Sequence, residues 1–192
     1  SLKTMDYRYD HILIRYGELS LKGKNRNSFI KQLYHNVKKA LANFPTLEYE
    51  RQHDRMYIYL HDEDPEKVSD VLATVFGISS FSLAIQVPSD MDVIIQAAKN
   101  SVDLSTKKTF KVAARRSDKN FPYISDTINR QVAGEILRNS DWKVDVHHPD
   151  VKIVIEVHKE FTYIMTNRRA GAGGYPVGVG GKAIMLLSGG ID

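Results

Sequence analysis

The chain has 192 residues, 42% of them hydrophobic, enough for one or two domains with a real core and too apolar for a disordered chain. No apolar run approaches the roughly 18 residues of a membrane span, and residues 1–10 are polar and charged rather than a secretory leader, so the cytoplasm is the expected compartment. Cysteine is absent, which excludes disulfides, thiolate metal sites and a cysteine nucleophile from these residues.

The formal net charge is only +4, but it is unevenly spread. Residues 19–47 carry Lys22, Lys24, Arg26, Lys31, Lys38 and Lys39 and no acid. Residues 107–119 carry six bases against Asp118 alone. Residues 161–191 contain no acid, while Arg168, Arg169 and Lys182 are present. The acids gather elsewhere, as in Asp62, Glu63, Asp64, Glu66 and Asp70. Segregation of this kind points to a polyanionic partner.

In chain order, residues 11–16 alternate, with Ile12, Ile14 and Tyr16 on one side, and read as a strand. Residues 17–26 read as a basic loop. Phe29, Leu33, Val37, Leu41 and Phe44 recur at helical spacing and predict a helix over 27–44, ended by Pro45. Lys31, His35 and Lys38 share another face, read as the wet side of that helix. Residues 47–52 and 55–60 predict a hairpin with Met56, Ile58 and Leu60 inward. Asp64 caps a second helix with Pro65 in its first turn; Val68, Leu72, Val75 and Phe76 form its apolar face and Gly77 closes it. Phe81, Leu83, Ile85 and Val87 alternate in a fourth strand ended by Pro88. The order βαββαβ over 8–88 is the split βαβ, or ferredoxin-like, arrangement.

Ser89 with Asp92 has the spacing of a capping box and opens a helix through Val102. Residues 109–115 form a strand with Phe110, Val112 and Ala114 on one face and Lys111 and Arg115 on the other. Ser125 is the expected cap of a helix over 126–139 with Ile128, Val132 and Ile136 as its core stripe. Residues 143–146 are a short strand, and 151–157 and 161–167 a hairpin with Val151, Ile153, Ile155 and Val157 inward. This second α/β unit should be a small mixed sheet with helices on one face. Residues 168–181 read as a glycine-rich linker without helix or strand, since eight of the 12 glycines lie between Gly171 and Gly190. His147 and His148 stand beside Asp150, but adjacent strand residues face opposite ways and no third ligand converges, so no metal site is expected.

Three stretches then stand together. Gly17-Glu18-Leu19-Ser20-Leu21-Lys22-Gly23-Lys24-Asn25-Arg26 follows the first strand. Phe110-Lys111-Val112-Ala113-Ala114-Arg115-Arg116 is the basic strand of the second unit. The glycine-rich run from Gly171 to Lys182 leads into Leu186-Leu187-Ser188-Gly189-Gly190-Ile191-Asp192, an apolar strand before a tight turn that lets backbone approach phosphate. That last segment resembles the pyrophosphate loop, or PP-loop, of ATP-dependent adenylating enzymes. Together the three resemble the tRNA 4-thiouridine synthetase family, over essentially the whole chain.

The resemblance implies an α+β / α/β protein. Its parts are an N-terminal ferredoxin-like domain (1–88), a THUMP domain (89–167), the linker (168–181) and the start of a PP-loop ATP-binding domain (182–192). It implies that the chain continues past Asp192, where the family's reactive cysteines lie, and that this stretch alone holds no catalytic residue and is inactive. The complete enzyme would adenylate a tRNA uridine with ATP and Mg2+, and a persulfide sulfur from a cysteine desulfurase would replace the activated oxygen; the family is also linked to thiamine thiazole synthesis. ATP contacts carry over to Leu186, Leu187, Ser188, Gly189, Gly190 and Asp192. The family grips the single-stranded 3′ end of tRNA. That role carries over to Lys22, Lys24, Arg26, Lys111, Arg115, Arg116, Lys119, Phe121, Arg168 and Arg169. Lysine and arginine suit phosphate, and arginine and phenylalanine also stack on bases. A homodimer sharing one RNA is compatible with the family. The rival readings are a stand-alone THUMP-type RNA-binding module and a different PP-loop enzyme acting on a small substrate; the two α/β units ahead of the loop argue against the latter.

Overall fold

The computed structural model describes residues 9–17 and 21–178. They form two compact units, one from His11–Ser82 with the segment from Arg168 onward, the other from Leu83–Asn167 with the residues up to Asp10. No helix among the described residues is long and apolar enough to cross a membrane.

In the first unit, β1 (His11–Tyr16) is buried on both faces, through Ile12, Leu13, Ile14 and Tyr16. α1 (Gly23–Ala40) starts four residues before the expected boundary. Lys22 is extended (φ −133°, ψ 159°) and Gly23 takes φ +58°, a left-handed corner that glycine tolerates. The chain therefore turns at Gly23, and Lys24 and Arg26 lie in the first helical turn rather than in a loop. The helix also stops early, at Ala40, with the Leu41 N–H donating to Val37 O at 3.0 Å. β2 (Glu48–Arg51) and β3 (Arg55–Tyr59) form the expected antiparallel hairpin, and β1 pairs antiparallel with β3. Asp64 caps α2 (Pro65–Leu72), accepting from the N–H groups of Glu66 (2.9 Å) and Lys67 (3.4 Å). α2 ends at Leu72, so Phe76 is outside its apolar face and is 52% exposed, while Val75 remains buried. β4 (Ile78–Pro88) follows, and its first residues complete the order β2-β3-β1-β4. That is the ferredoxin-like order.

The second unit opens with α3 (Met91–Asn100). Its cap is Asp90, which accepts from the Val93 N–H at 3.1 Å. Ser89, the expected cap, instead donates its hydroxyl to His158 O at 2.6 Å. β5 (Thr109–Arg116) precedes α4 (Ser125–Arg138), where Ser125 is the first helical residue, Ile124 holds the cap position and no side chain caps the end. β6 (Lys143–Val144), β7 (Val151–Val157) and β8 (Phe161–Met165) complete the unit. β6 and β7 run parallel to β5, and β8 runs antiparallel to β7 and to the later residues of β4. The sheet is mixed, as expected. Its core joins Ile94 and Ala98 of α3 and Ile128, Val132 and Ile136 of α4 to Phe110, Ile153, Ile155 and Ile164 of the strands. Trp142 is buried at its edge, donating from Nε1 to Thr106 O at 2.9 Å.

The supposed linker is not wholly irregular. Arg169 and Ala170 form β9 (Arg169–Ala170), antiparallel to the start of β4, with Ser80 opposite Ala170 and Phe81 opposite Arg169. The N–H groups of Gly171 and Gly173 extend the ladder to Ser79 O (2.9 Å) and Ile78 O (2.8 Å). Composition argued against a strand here; an available strand edge overrode it.

Candidate nucleic-acid interface

In the first unit, Lys22 and Lys24 are exposed at the start of α1. Arg26 is half-buried, and its Nη2 donates to His53 O at 2.7 Å, tying the helix to the β2–β3 turn. Arg168 lies on the other edge, donating from Nε to Ser80 Oγ at 3.1 Å. Arg15, on β1, reaches the same place, with Nη1 donating to Ser82 Oγ at 3.0 Å and to Ser80 Oγ at 3.4 Å. Two guanidiniums thus share one serine hydroxyl, and their like charge favours an anion. Sequence reading missed Arg15; the available signal was a cation inside an otherwise apolar strand. Arg169 is paired with Asp70 (2.9 Å) and lies over the Phe81 ring at 5.8 Å, so it is partly occupied by its own unit.

In the second unit, the parallel register sets Lys111 beside Lys152 and Arg115 beside Glu156. Like charges side by side on a sheet repel. Lys152 was not singled out from the sequence because register is a long-range property. Arg115 Nη2 and Nε donate to Glu156 Oε1 at 2.6 and 2.8 Å. The glutamate side chain is 5% exposed and the arginine 66%, so a buried acid steadies a guanidinium that still faces solvent. Arg116 Nη1 donates to Phe121 O at 3.0 Å and closes the loop that carries exposed Lys119. Arg115, Arg116, Ser117, Glu156 and His158 line a recess of about 220 Å3.

Phe121 is placed differently from expectation. It is 8% exposed and belongs to the core, so it has no free face for a base. Its ring stands 5.8 Å from that of Tyr123, which is 37% exposed and is the ring this loop offers to solvent. The His147 and His148 N–H groups both donate to Asp145 Oδ1, at 3.0 and 2.9 Å. Those bonds, His148's first, hold the Asp145 carboxyl below the usual carboxylate range. The pair therefore forms a turn, and among the described residues no group of three or more His, Asp or Glu could hold a metal ion. Leu186, Leu187, Ser188, Gly189, Gly190 and Asp192, the expected ATP contacts, lie outside the described residues.

Comparison with known families decides what these units are. A model of the ThiI ferredoxin-like domain matches residues 11–82, and a THUMP-domain model matches residues 88–167. The chain carries a ThiI ferredoxin-like domain and a THUMP domain. It is 49% identical over 187 residues to a probable tRNA sulfurtransferase of Anoxybacillus flavithermus and 50% identical over 188 residues to one of Geobacillus thermodenitrificans. Each match covers 96% of this chain and 47% of the relative, so the chain spans about half the length of these relatives. Among solved structures it is similar to a 4-thiouridine synthetase in complex with RNA and with bound ATP, with a TM-score of 0.79 and 31% identity over 91% of this chain and 45% of that one.

The THUMP domain thus carries Arg115, Arg116, Lys111, Lys152 and Lys119, and the ferredoxin-like domain carries Arg15, Arg168, Lys22 and Lys24. What they can do is hold phosphate and stack on bases.

Proposed function

We propose that this chain is the tRNA-gripping part of an ATP-dependent tRNA sulfurtransferase that makes 4-thiouridine. The carrying observation is the ThiI ferredoxin-like and THUMP pair, combined with near 50% identity to tRNA sulfurtransferases over 96% of the chain. Each domain contributes cations to one RNA. On the THUMP domain these are Arg115, Arg116, Lys111 and Lys119, with Tyr123 in the stacking role that Phe121 is too buried to take. On the ferredoxin-like domain they are Lys22, Lys24, Arg26, Arg168 and Arg169, with Arg15 added by its shared serine. The single-stranded 3′ end of tRNA is the segment held, because its unstacked bases and flexible backbone suit separate arginine and lysine contacts.

The remaining steps belong to the same proposal and rest on the sequence motif. ATP, with Mg2+, would be held at Ser188-Gly189-Gly190-Ile191-Asp192 and would activate the uracil oxygen. The sulfur donor would be a cysteine desulfurase, and a link to thiamine synthesis follows from the family. Residues 9–178 serve placement.

The test is a binding titration of this chain with whole tRNA and with tRNA lacking its 3′ terminal bases. Loss of the tail should weaken binding about tenfold or more, the scale of one or two lost base stacks. Equal affinity for both RNAs would remove the 3′ end from the site.

A further inference from the structure

The whole of α1 lies within the acid-free stretch 21–47. Lys24, Lys31, His35 and Lys38 follow one another at intervals of seven, four and three residues, and all are exposed. On a helix that spacing makes one stripe, about 21 Å long at 1.5 Å per residue. Arg51 of β2 joins it from the side. The Tyr34 ring carries Lys38 Nζ at 5.2 Å and the Arg51 guanidinium at 5.0 Å, and Lys38 also stands 5.7 Å from the Tyr49 ring. Lys31, Tyr34, His35, Lys38, Lys39 and Arg51 line a groove of about 440 Å3.

An ordinary solvated helix face mixes its charges. α4 does so, pairing Asp126 with Arg130 at 3.3 Å and Glu135 with Arg138 at 2.9 Å. Among the described residues no acid pairs with Lys24, Lys31, Lys38 or Lys39. Lys38 and Lys39 lie in the last turn, where the helix dipole favours cations. Lys24 lies in the first turn, where the dipole opposes them. The stripe repels itself along its length, and a polyanion laid on it relieves that repulsion.

We propose that this face is a second RNA surface, one that follows the phosphate backbone of the duplex next to the single-stranded tail. It rests on the reading that the chain binds tRNA. The two tyrosines decide for duplex over tail. Lys38 and Arg51 lie against their rings, which also meet edge to face at 6.2 Å, so a splayed base finds no open ring to stack on. What is presented is charge without a stacking platform, the chemistry of backbone contact rather than base readout.

The test compares the unaltered chain with Lys31→Gln/Lys39→Gln, two exposed cations of the groove that pair with no acid among the described residues, and with Lys31→Gln/Lys38→Gln/Arg51→Gln. Each is titrated over a range of salt with whole tRNA, with an oligonucleotide of the 3′ tail alone and with poly-glutamate. The double variant should bind whole tRNA about tenfold more weakly, with a log–log salt slope shallower by about 1.4–1.8 for two lost phosphate contacts. The triple variant should lose more. Tail binding should not change for either. An unchanged tRNA slope in both variants, or an equal loss on the tail, would overturn the duplex surface. A loss confined to poly-glutamate would assign the face to an acidic protein instead and overturn it too. If the unaltered chain bound neither RNA, the tRNA reading itself would fall.

Discussion

Arg115 shows how one residue serves fold and site together. Its guanidinium closes on Glu156, a carboxylate with a 5% exposed side chain, yet remains 66% exposed itself. Arg115→Ala should cost about 1–3 kcal/mol of stability through a lost charged hydrogen bond, and Arg115→Lys less. A thermal melt reads this. Combined with Arg116→Ala, the change should weaken RNA binding about tenfold or more at a temperature where both proteins stay folded; unchanged affinity would remove both residues from the site. Tyr16 tests the fold alone. Its hydroxyl is shared between Gln52 O (2.8 Å) and Arg55 O (2.9 Å), and burial pushes the phenol from 10.0 up to about 12. The folded protein holds this proton more tightly than the unfolded chain. The stabilisation is therefore complete below pH 10 and is lost as pH rises from 10 to about 12, by roughly 3 kcal/mol in all. Tyr16→Phe should be less stable at neutral pH but should lose less on going from pH 9 to 12. Tyr49, also pushed up to about 12 by burial, keeps some alkaline loss in that variant. Parallel stability curves for the two proteins would contradict the assignment.

At the level of elements, segments with their own periodicity were legible and segments set by a distant neighbour were not. β1 and the core stripe of α4 follow from alternation and helical spacing in their own residues. The Asp64 cap with Pro65 is likewise local chemistry. The start of α1 was misplaced because a lysine- and asparagine-rich run has no apolar marker, and only the corner at Gly23 tells loop from helix. Ser89 and Ser125 look like caps in sequence, but His158 O claims the first and the helix simply begins at the second. β9 was unreadable because its partner lies some 90 residues earlier in the chain. For the same reason the Arg15–Ser80–Arg168 group and the Lys111–Lys152 neighbours escaped notice, whereas the basic runs around them did not. Gly171 gives the direct test of β9. A Cβ there would overlap the Ile78 carbonyl oxygen and stand 2.6 Å from its Cγ2. Gly171→Ala should destabilise by about 1–3 kcal/mol through overpacking of that edge. Gly173, at φ +69° with nothing within 4 Å of an added Cβ, should lose only the left-handed penalty of about 1–2 kcal/mol on change to alanine. Equal stability of Gly171→Ala and the unaltered chain in a denaturant melt would show that the edge is not packed as described.

At the scale of the whole molecule, a net charge of only +4, set by acids gathered elsewhere such as residues 62–70, conceals strongly basic patches. They lie on α1, on β5 and its loop, and on the segment that becomes β9. Electrostatic contact of this kind releases counterions from RNA, so the account stands or falls on salt. The deciding measurement is the affinity of this chain for tRNA between 50 and 200 mM salt. With about five phosphate contacts at roughly 0.7 counterions each, affinity should fall about a hundredfold over that range. An affinity that stays level across it would contradict the claim that these cations hold the nucleic acid.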